Sequence, residues 1–183
     1  MLTGNPSGLT ERAYVFAKAA HEAVGQMRKY TGEPYIGHPI EVAGILQTVP
    51  HTDAMLAAAL LHDTVEDTQV TEADIEREFG SEVADLVSWL SDVSCSEDGN
   101  RAARKAIDLE HTSRAPAAAK TIKLADLISN TMRIVAHDPK FARVYLSEKA
   151  ALLEVLKDGD PTLWARANQV LQDGLRKLEN AGV

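Results

Sequence analysis

The residues Ala54-Met55-Leu56-Ala57-Ala58-Ala59-Leu60-Leu61 are apolar at every position, and this run is the strongest indication of the fold class. Alanine and leucine favour the α-helix, and a helix that has no polar face must be buried on all sides. Asp53, directly before it, is a suitable N-cap. We therefore predict a central helix of a bundle. It ends abruptly in the polar run His62-Asp63-Thr64-Val65-Glu66-Asp67-Thr68.

Further helices are predicted on both sides of this stretch. Residues 9–24 carry apolar side chains at helical spacing, and Pro39 suits the first turn of a second helix, where a missing N–H does no harm. After the polar run, Thr71 and Asp74 form a capping-box pattern, with Asp in place of the usual Glu, for a short helix that stops at Gly80.

The second half of the chain also has a helical pattern. A helix carries the apolar residues from Val83 to Leu90, residues 94–100 form a polar loop, and a charged helix follows. Longer helices are indicated after Pro116, at Pro139 and at Pro161. Because there is no strand-like alternation, internal repeat or linker, we expect a single all-α domain over residues 1–183, a helical bundle.

Composition limits the class of protein. The chain has 183 residues, of which 45% are hydrophobic, so it can bury a substantial core. It has no apolar run of the roughly 20 residues that a membrane-spanning helix needs, and Met1 to Gly8 lack a signal-peptide pattern. The single cysteine, Cys95, cannot form an internal disulfide. We therefore expect a cytoplasmic protein with no membrane partner.

The formal net charge of −8 argues against a nucleic-acid partner. Proteins that bind nucleic acids usually have a basic face, because neutralising phosphates drives their affinity. A small anionic substrate is still compatible with this charge if the few basic residues converge on one pocket. The sequence favours no particular oligomeric state.

Four polar residues that interrupt apolar structure are candidate metal ligands: His38, His62, Asp63 and Asp126. Two imidazoles and two carboxylates suit Mn, Fe, Zn or Co better than Ca, and leave positions for water and substrate. A single histidine near a helix start is more often a cap or a surface group, but the adjacent pair His62-Asp63 ends a helix that otherwise contains nothing polar.

Glu66 and Asp67 are candidate acid–base groups. If the helix continued past His62, Glu66 would lie on the same face one turn later. A carboxylate beside an activated water can orient it or take its proton. The alternative is a solvated acidic helix end, which the helix dipole disfavours.

Other candidate substrate contacts are polar or basic. Lys123, Asp126, Asn130 and Arg133 share one face of a predicted helix. Four basic residues are expected at the mouth of the site, where they would bind a polyphosphate: Arg28, Lys29, Arg104 and Lys105.

Three separated stretches carry a more specific pattern. They are Arg28-Lys29-Tyr30-Thr31-Gly32-Glu33-Pro34-Tyr35-Ile36-Gly37-His38-Pro39, then Ala58-Ala59-Leu60-Leu61-His62-Asp63-Thr64-Val65-Glu66-Asp67-Thr68, then Ile122-Lys123-Leu124-Ala125-Asp126 with Asn130. In this order and spacing they resemble the hydrolase domain of the RelA/SpoT homologues, and the chain is similar in size to the small alarmone hydrolases, including the metazoan SpoT-like type. The resemblance covers residues 9 to 157.

The resemblance implies an all-helical HD fold with one Mn²⁺ ion, although other transition metals suit the same ligands. It implies that the ion is bound by His38, His62, Asp63 and Asp126, and that Glu66 and Asp67 act on the attacking water. Its implied substrate contacts are Arg28, Lys29, Lys105, Asn130 and Tyr145. The implied reaction removes the 3′-pyrophosphate of (p)ppGpp and gives GDP or GTP plus pyrophosphate.

Some positions depart from the pattern. Leu127 stands where the family usually has Arg or Lys, which is expected to weaken phosphate contacts or to change the substrate preference. Trp89 to Ser94 are less typical, and residues 158–183 carry little resemblance beyond an expected helix that packs on the core. With no room for a synthetase domain, the chain is expected to act in the hydrolytic direction only.

Two alternatives stay open. The same site could act on another nucleotide, for example by removing the 2′-phosphate of NADPH, and an assay of several nucleotides with Mn²⁺ separates the two. The chain could also be a non-catalytic sensor that binds an alarmone. The presence of all four proposed ligands and both acids argues against such a degenerate site.

Overall fold

Ten α-helices and one short 3₁₀ helix account for the regular structure of the computed structural model, which describes residues 8–180. They fall into two compact units, divided between Ser91 and Asp92. The first unit contains α1 (Leu9–Ala23), α2 (Gly37–Leu46), α3 (Asp53–Leu61), α4 (Thr64–Asp67), α5 (Glu72–Phe79) and α6 (Ser81–Leu90). The second contains the 3₁₀ helix (Ser96–Asp98), α7 (Arg101–Ser113), α8 (Ala117–His137), α9 (Pro139–Val155) and α10 (Pro161–Asn180).

The predicted all-α class is confirmed for residues 8–180. The β pairing described among them is one isolated bridge between Met27 and Pro34, which does not form a strand. The expectation of one domain over residues 1–183 stays a prediction. The segment from Met1 to Gly8 was expected to contain no signal peptide. Of this segment only Gly8 belongs to the described part of the chain. Within that part, none of the helices combines the length and apolar character that a bilayer-spanning segment requires.

The apolar stretch forms the centre of the first unit, as predicted. Every residue of α3 from Ala54 to Leu61 is buried, and the helix packs against α1, α2 and α6. The predicted N-cap was wrong by one residue. Thr52 caps α3, because its backbone is extended and its hydroxyl accepts a 3.2 Å hydrogen bond from the amide of Met55. Asp53 is already helical, and its charge there suits the helix dipole.

The polar run after α3 does not continue that helix. A turn at His62 and Asp63 separates α3 from α4. The buried Thr64 anchors the turn, because its hydroxyl donates a 2.6 Å hydrogen bond to the carbonyl oxygen of Leu61. Glu66 therefore does not follow His62 on one regular helical face; a separate short helix carries it.

The predicted capping box at the start of α5 is confirmed. The hydroxyl of Thr71 accepts from the amide of Asp74, and the Asp74 carboxylate accepts from the amide of Thr71. The hydrogen bond from the Thr71 side chain lowers the pKa of Asp74 to about 2. Gly80 ends α5 at a φ of 88°, a conformation that favours glycine.

Helix α8 forms the centre of the second unit and packs against α9 and α10. The starts predicted at Pro116, Pro139 and Pro161 are confirmed, since each proline directly precedes or opens a helix. Gly174 lets α10 approach its neighbours, because a Cβ there would lie 3.0 Å from Cγ2 of Val135 and 3.2 Å from Cδ1 of Leu146.

Candidate active site

Three of the predicted metal ligands lie together in the first unit. The first turn of α2 supplies His38, and the turn after α3 supplies His62 and Asp63. The two imidazole rings are buried, with centroids 5.3 Å apart. Oδ2 of Asp63 lies 3.1 Å from Nε2 of His62 and 3.6 Å from Nε2 of His38. Both rings therefore direct the same nitrogen towards one carboxylate.

The orientation of His62 suits metal binding. Its Nδ1 lies 2.8 Å from the carbonyl oxygen of Ala59, and a carbonyl can only accept, so Nδ1 carries a proton. In that tautomer the lone pair of Nε2 points at the Asp63 carboxylate. Two acceptors at this distance repel each other unless a proton or a cation lies between them. A backbone carbonyl that fixes the tautomer in this way is typical of metal-binding histidines.

Tyr35 completes the surroundings of Asp63, and its contact with Asp63 was not predicted from the sequence. Its hydroxyl donates a 2.6 Å hydrogen bond to Oδ2 of Asp63. Its ring lies 5.8 Å from that of His38, centroid to centroid. The available signal was its place in the first motif, three residues before His38.

The two candidate acid–base residues are exposed on α4, close in sequence to Asp63. Asp67 accepts a 2.8 Å hydrogen bond on Oδ2 from the side-chain amide of Gln26. The amide nitrogen of Asp67 also donates to the carbonyl oxygen of Asp63 at 3.0 Å, which ties the short helix to the turn. Both acids are therefore accessible to a water or substrate.

The fourth predicted ligand, Asp126, belongs to the second unit. It is buried in α8, and Nδ2 of Asn130, one turn later, donates a 2.6 Å hydrogen bond to its Oδ1. The shared face predicted for Asp126 and Asn130 is thus present. Leu127 is 1% exposed and belongs to the apolar core of this unit.

Tyr145 and Lys149 lie one turn apart on α9. Burial, and next the negative charge of Asp126, raise the pKa of the Tyr145 hydroxyl. Nζ of Lys149 lies 5.1 Å from the Tyr145 ring centroid. Burial lowers the pKa of Lys149 to about 8, while the Asp126 charge opposes that shift. Lys149 was missed from the sequence; its i, i+4 spacing from Tyr145 was the available signal.

The predicted basic contacts have partners of their own. Arg28 donates from Nη1 to Oε2 of Glu41 at 3.2 Å, and Lys29 lies over the ring of Tyr30. Burial lowers the pKa of Lys105, but its hydrogen bonds to Asp92 and Asp108, at 2.5 and 3.2 Å, outweigh that effect and raise it. A substrate phosphate would have to compete with these carboxylates.

A family model described as an HD domain matches residues 13–161. The chain belongs to the HD-domain family. The matched residues run across both compact units. HD hydrolases use a divalent metal ion, and His38 and His62 of the first unit are candidate ligands for one.

Two curated relatives are similar to this chain, but the match covers only a small share of their own length. A GTP pyrophosphokinase of Myxococcus xanthus is 46% identical over 86 residues, which are 47% of this chain and 11% of the relative. A probable guanosine-3′,5′-bis(diphosphate) 3′-pyrophosphohydrolase of Synechocystis is 36% identical over 144 residues, 77% of this chain and 19% of the relative. This chain therefore spans about a fifth or less of these relatives.

One solved structure matches over nearly its whole length. It is a metazoan ortholog of SpoT, described as hydrolysing ppGpp and playing a role in starvation responses. The match has a TM-score of 0.81 and 27% identity, and covers 93% of this chain and 98% of that one. The resemblance to the RelA/SpoT hydrolase domain and the HD fold are thereby confirmed.

Proposed function

We propose that this chain is a metal-dependent hydrolase that removes the 3′-pyrophosphate of (p)ppGpp and releases GDP or GTP and pyrophosphate. The observation that carries the proposal is the convergence of His38 and His62 on the Asp63 carboxylate, with Glu66 and Asp67 three and four residues later. The match to a metazoan protein described as hydrolysing ppGpp supports the choice of substrate.

The proposed ligands are His38, His62, Asp63 and Asp126, and the proposed ion is Mn²⁺. Mixed nitrogen and oxygen donors suit Mn²⁺ and other transition metals. The fit rests on the His62 tautomer, whose Nε2 lone pair faces a carboxylate, and on the orienting hydrogen bonds to Asp63 from Tyr35 and to Asp126 from Asn130. When bound, such an ion supplies Lewis-acid stabilisation of the charge that develops on phosphoryl oxygens.

The protein's own residues have separate roles in this proposal. Glu66 and Asp67 orient the attacking water and take its proton, which their exposure on α4 allows. Asn130, Arg28 and Lys29 contact the substrate nucleotide, and Tyr145 lines the pocket for its base or ribose. These contacts hold the scissile bond in line with the water, and such positioning supplies much of the catalysis in phosphoryl transfer.

Lys105 is proposed as a weaker phosphate contact, because Asp92 and Asp108 already neutralise its ammonium group. A cytoplasmic location, and the absence of a nucleic-acid partner, stay predictions from the sequence.

The experiment that tests the function compares nucleotides. The purified chain would be incubated with ppGpp, pppGpp or NADPH, each with Mn²⁺ and each with a chelator, and the products separated by anion exchange. We expect ppGpp and pppGpp to give GDP and GTP only with the ion. Cleavage of NADPH with no cleavage of ppGpp would contradict the choice of substrate, and binding of ppGpp without any product would indicate a sensor.

Matched histidine variants complete this test. His62→Ala removes a proposed ligand, whereas His51→Ala removes an exposed histidine of the same unit. We expect activity to be lost only in the first variant, with the far-UV circular dichroism of both unchanged. Equal activities in the two would contradict the proposed metal site.

A further inference from the structure

A chain of hydrogen bonds in the first unit links a buried histidine to a proposed catalytic acid. Nδ1 of His21, at the end of α1, lies 2.6 Å from Oε1 of Gln26. Nε2 of Gln26 donates to Oδ2 of Asp67 at 2.8 Å. Gln26 and Asp67 are 41 residues apart, so the fold brings them together.

The directions of these hydrogen bonds follow from the chemistry of the three groups. An ionised carboxylate only accepts, so the NH₂ group of Gln26 faces Asp67 and its Oε1 faces His21. An amide oxygen also only accepts, so Nδ1 of His21 carries the proton. The His21 ring is 1% exposed, and its Nε2 is buried without a hydrogen-bond partner in the described part of the chain. The geometry therefore requires the Nδ1–H tautomer.

The backbone holds the same arrangement. The amide of Gln26 donates to the carbonyl oxygen of His21 at 3.0 Å, and the amide of Tyr35 donates to the carbonyl oxygen of Gln26 at 3.2 Å. Gly25, with a φ of 65°, makes the turn that allows His21 to contact Gln26 through both backbone and side chain. The backbone amide and carbonyl groups of Gln26 are therefore both hydrogen-bonded, which holds the residue in place beside Asp67.

We propose that Gln26, locked in one orientation by His21, is a positioning residue that aims the Asp67 carboxylate at the attacking water. This inference rests on the proposed function. Asp67 is exposed, so without Gln26 its side chain would be spread over several rotamers, and only a fraction of molecules would have it correctly placed. The hydrogen bond from Gln26 to Asp67 therefore affects the rate of the reaction step and not the affinity for the nucleotide.

The first test separates turnover from binding. Gln26→Met keeps the length of the side chain and removes both polar atoms, and we expect kcat for ppGpp to fall about 10- to 100-fold. KM and the Mn²⁺ affinity should stay within about twofold, because no ligand or substrate contact is removed. Gln47→Met, an exposed site on the same unit, is the matched control and should retain full activity. An unchanged kcat in Gln26→Met would overturn the proposal.

A double-mutant cycle tests whether Gln26 acts through Asp67. In an Asp67→Ala background, Gln26→Met should cause no further loss of kcat, because the group that it positions is absent. An equal loss in both backgrounds would mean that Gln26 serves the fold or another group, and would reject the proposal. Thermal denaturation of each variant shows whether it is folded.

The role of His21 is tested by partial rescue. His21→Asn keeps a nitrogen donor near the position of Nδ1, whereas His21→Leu has none. Both substitutions disturb a buried site, so the comparison is between the two variants. We expect the higher kcat for His21→Asn, and equal kcat values would contradict the locking of Gln26 by His21.

The tautomer gives a readout independent of activity. Ring nitrogen chemical shifts, measured by NMR on the metal-free protein labelled at histidine, should show the proton of His21 on Nδ1. If this holds but the wild-type chain hydrolyses no (p)ppGpp, the proposed function is wrong and Gln26 cannot have the role given to it, although the hydrogen-bond chain itself stands. If (p)ppGpp is hydrolysed but the proton is on Nε2, the inference alone is overturned.

Discussion

The hydroxyl of Tyr35 donates a 2.6 Å hydrogen bond to Oδ2 of Asp63, the same oxygen that lies 3.1 Å from Nε2 of His62. The backbone of Tyr35 is bound in turn to Gln26, whose side chain contacts Asp67. Two residues of the loop between α1 and α2 thus orient the site. Tyr35 orients the proposed metal ligand Asp63, and Gln26 orients the proposed catalytic acid Asp67.

Tyr35→Phe should weaken metal binding without unfolding the protein. Loss of an outer partner of a ligand typically costs about 10- to 100-fold in metal affinity. The affinity would be measured by titrating the metal-free protein with Mn²⁺. Tyr14→Phe, on an exposed part of α1, is the control and should bind the ion as the wild type does. Identical affinities in the two variants would show that Tyr35 does not orient Asp63.

Glu66→Gln should leave the ion bound and slow the reaction. Removing a general acid–base group typically costs about 10²- to 10⁴-fold in rate. Steady-state kinetics with ppGpp, together with metal content, would separate this effect from loss of the ion. A Glu66 variant with a normal rate would refute the assigned role.

Much of the fold could be predicted from local patterns, because its decisive signals are local. The run from Ala54 to Leu61 has no polar residue, so burial on all sides is its physical consequence. The capping box of Thr71 and Asp74 likewise lies within one turn. The cap of α3 was misassigned because Thr52 and Asp53 are both good caps, and only the backbone conformation distinguishes them.

The contacts around the candidate site were less predictable, because they join distant parts of the sequence. Tyr35 and Asp63 are 28 residues apart, and no periodicity relates them. The break between α3 and α4 was also not evident, since Thr64 stabilises it through a side-chain hydrogen bond to the backbone. A residue's type indicated its chemistry, but the tertiary fold decided its partner.

Gly159→Ala should destabilise the second unit. A Cβ there would lie 2.9 Å from Cδ1 of Leu124 and 3.1 Å from backbone atoms of Lys120 and Thr121, so we expect a loss of about 1–3 kcal/mol in the free energy of unfolding. Gly44→Ala is the contrasting variant. It lies within α2 with no atom near its Cβ, and should gain about 0.5–1 kcal/mol. Urea denaturation measures the free energy of unfolding of both variants. Equal changes relative to the wild type would contradict the packing around Gly159.

Lys149→Met should stabilise the metal-free protein at pH 7. Burial holds the pKa of Lys149 near 8, below its ordinary value of 10.5, so the folded state binds fewer protons than the unfolded state between these values. The charged Lys149 therefore lowers the free energy of unfolding below pH 8, and this loss disappears as the pH rises from 8 to 10.5. The stability advantage of Lys149→Met should shrink over the same pH range. Denaturation at pH 7 and pH 10 measures it, with the exposed Lys140→Met as control. An advantage independent of pH would contradict this account.

In the proposed mechanism, release of pyrophosphate from (p)ppGpp requires a bound divalent ion. ³¹P NMR of ppGpp incubated with the purified chain, first with a chelator and then with excess Mn²⁺, tests this requirement. We expect no change with the chelator, followed by the appearance of pyrophosphate and GDP in equal amounts once the ion is added. Orthophosphate as the first product, or turnover that continues in the chelator, would contradict it.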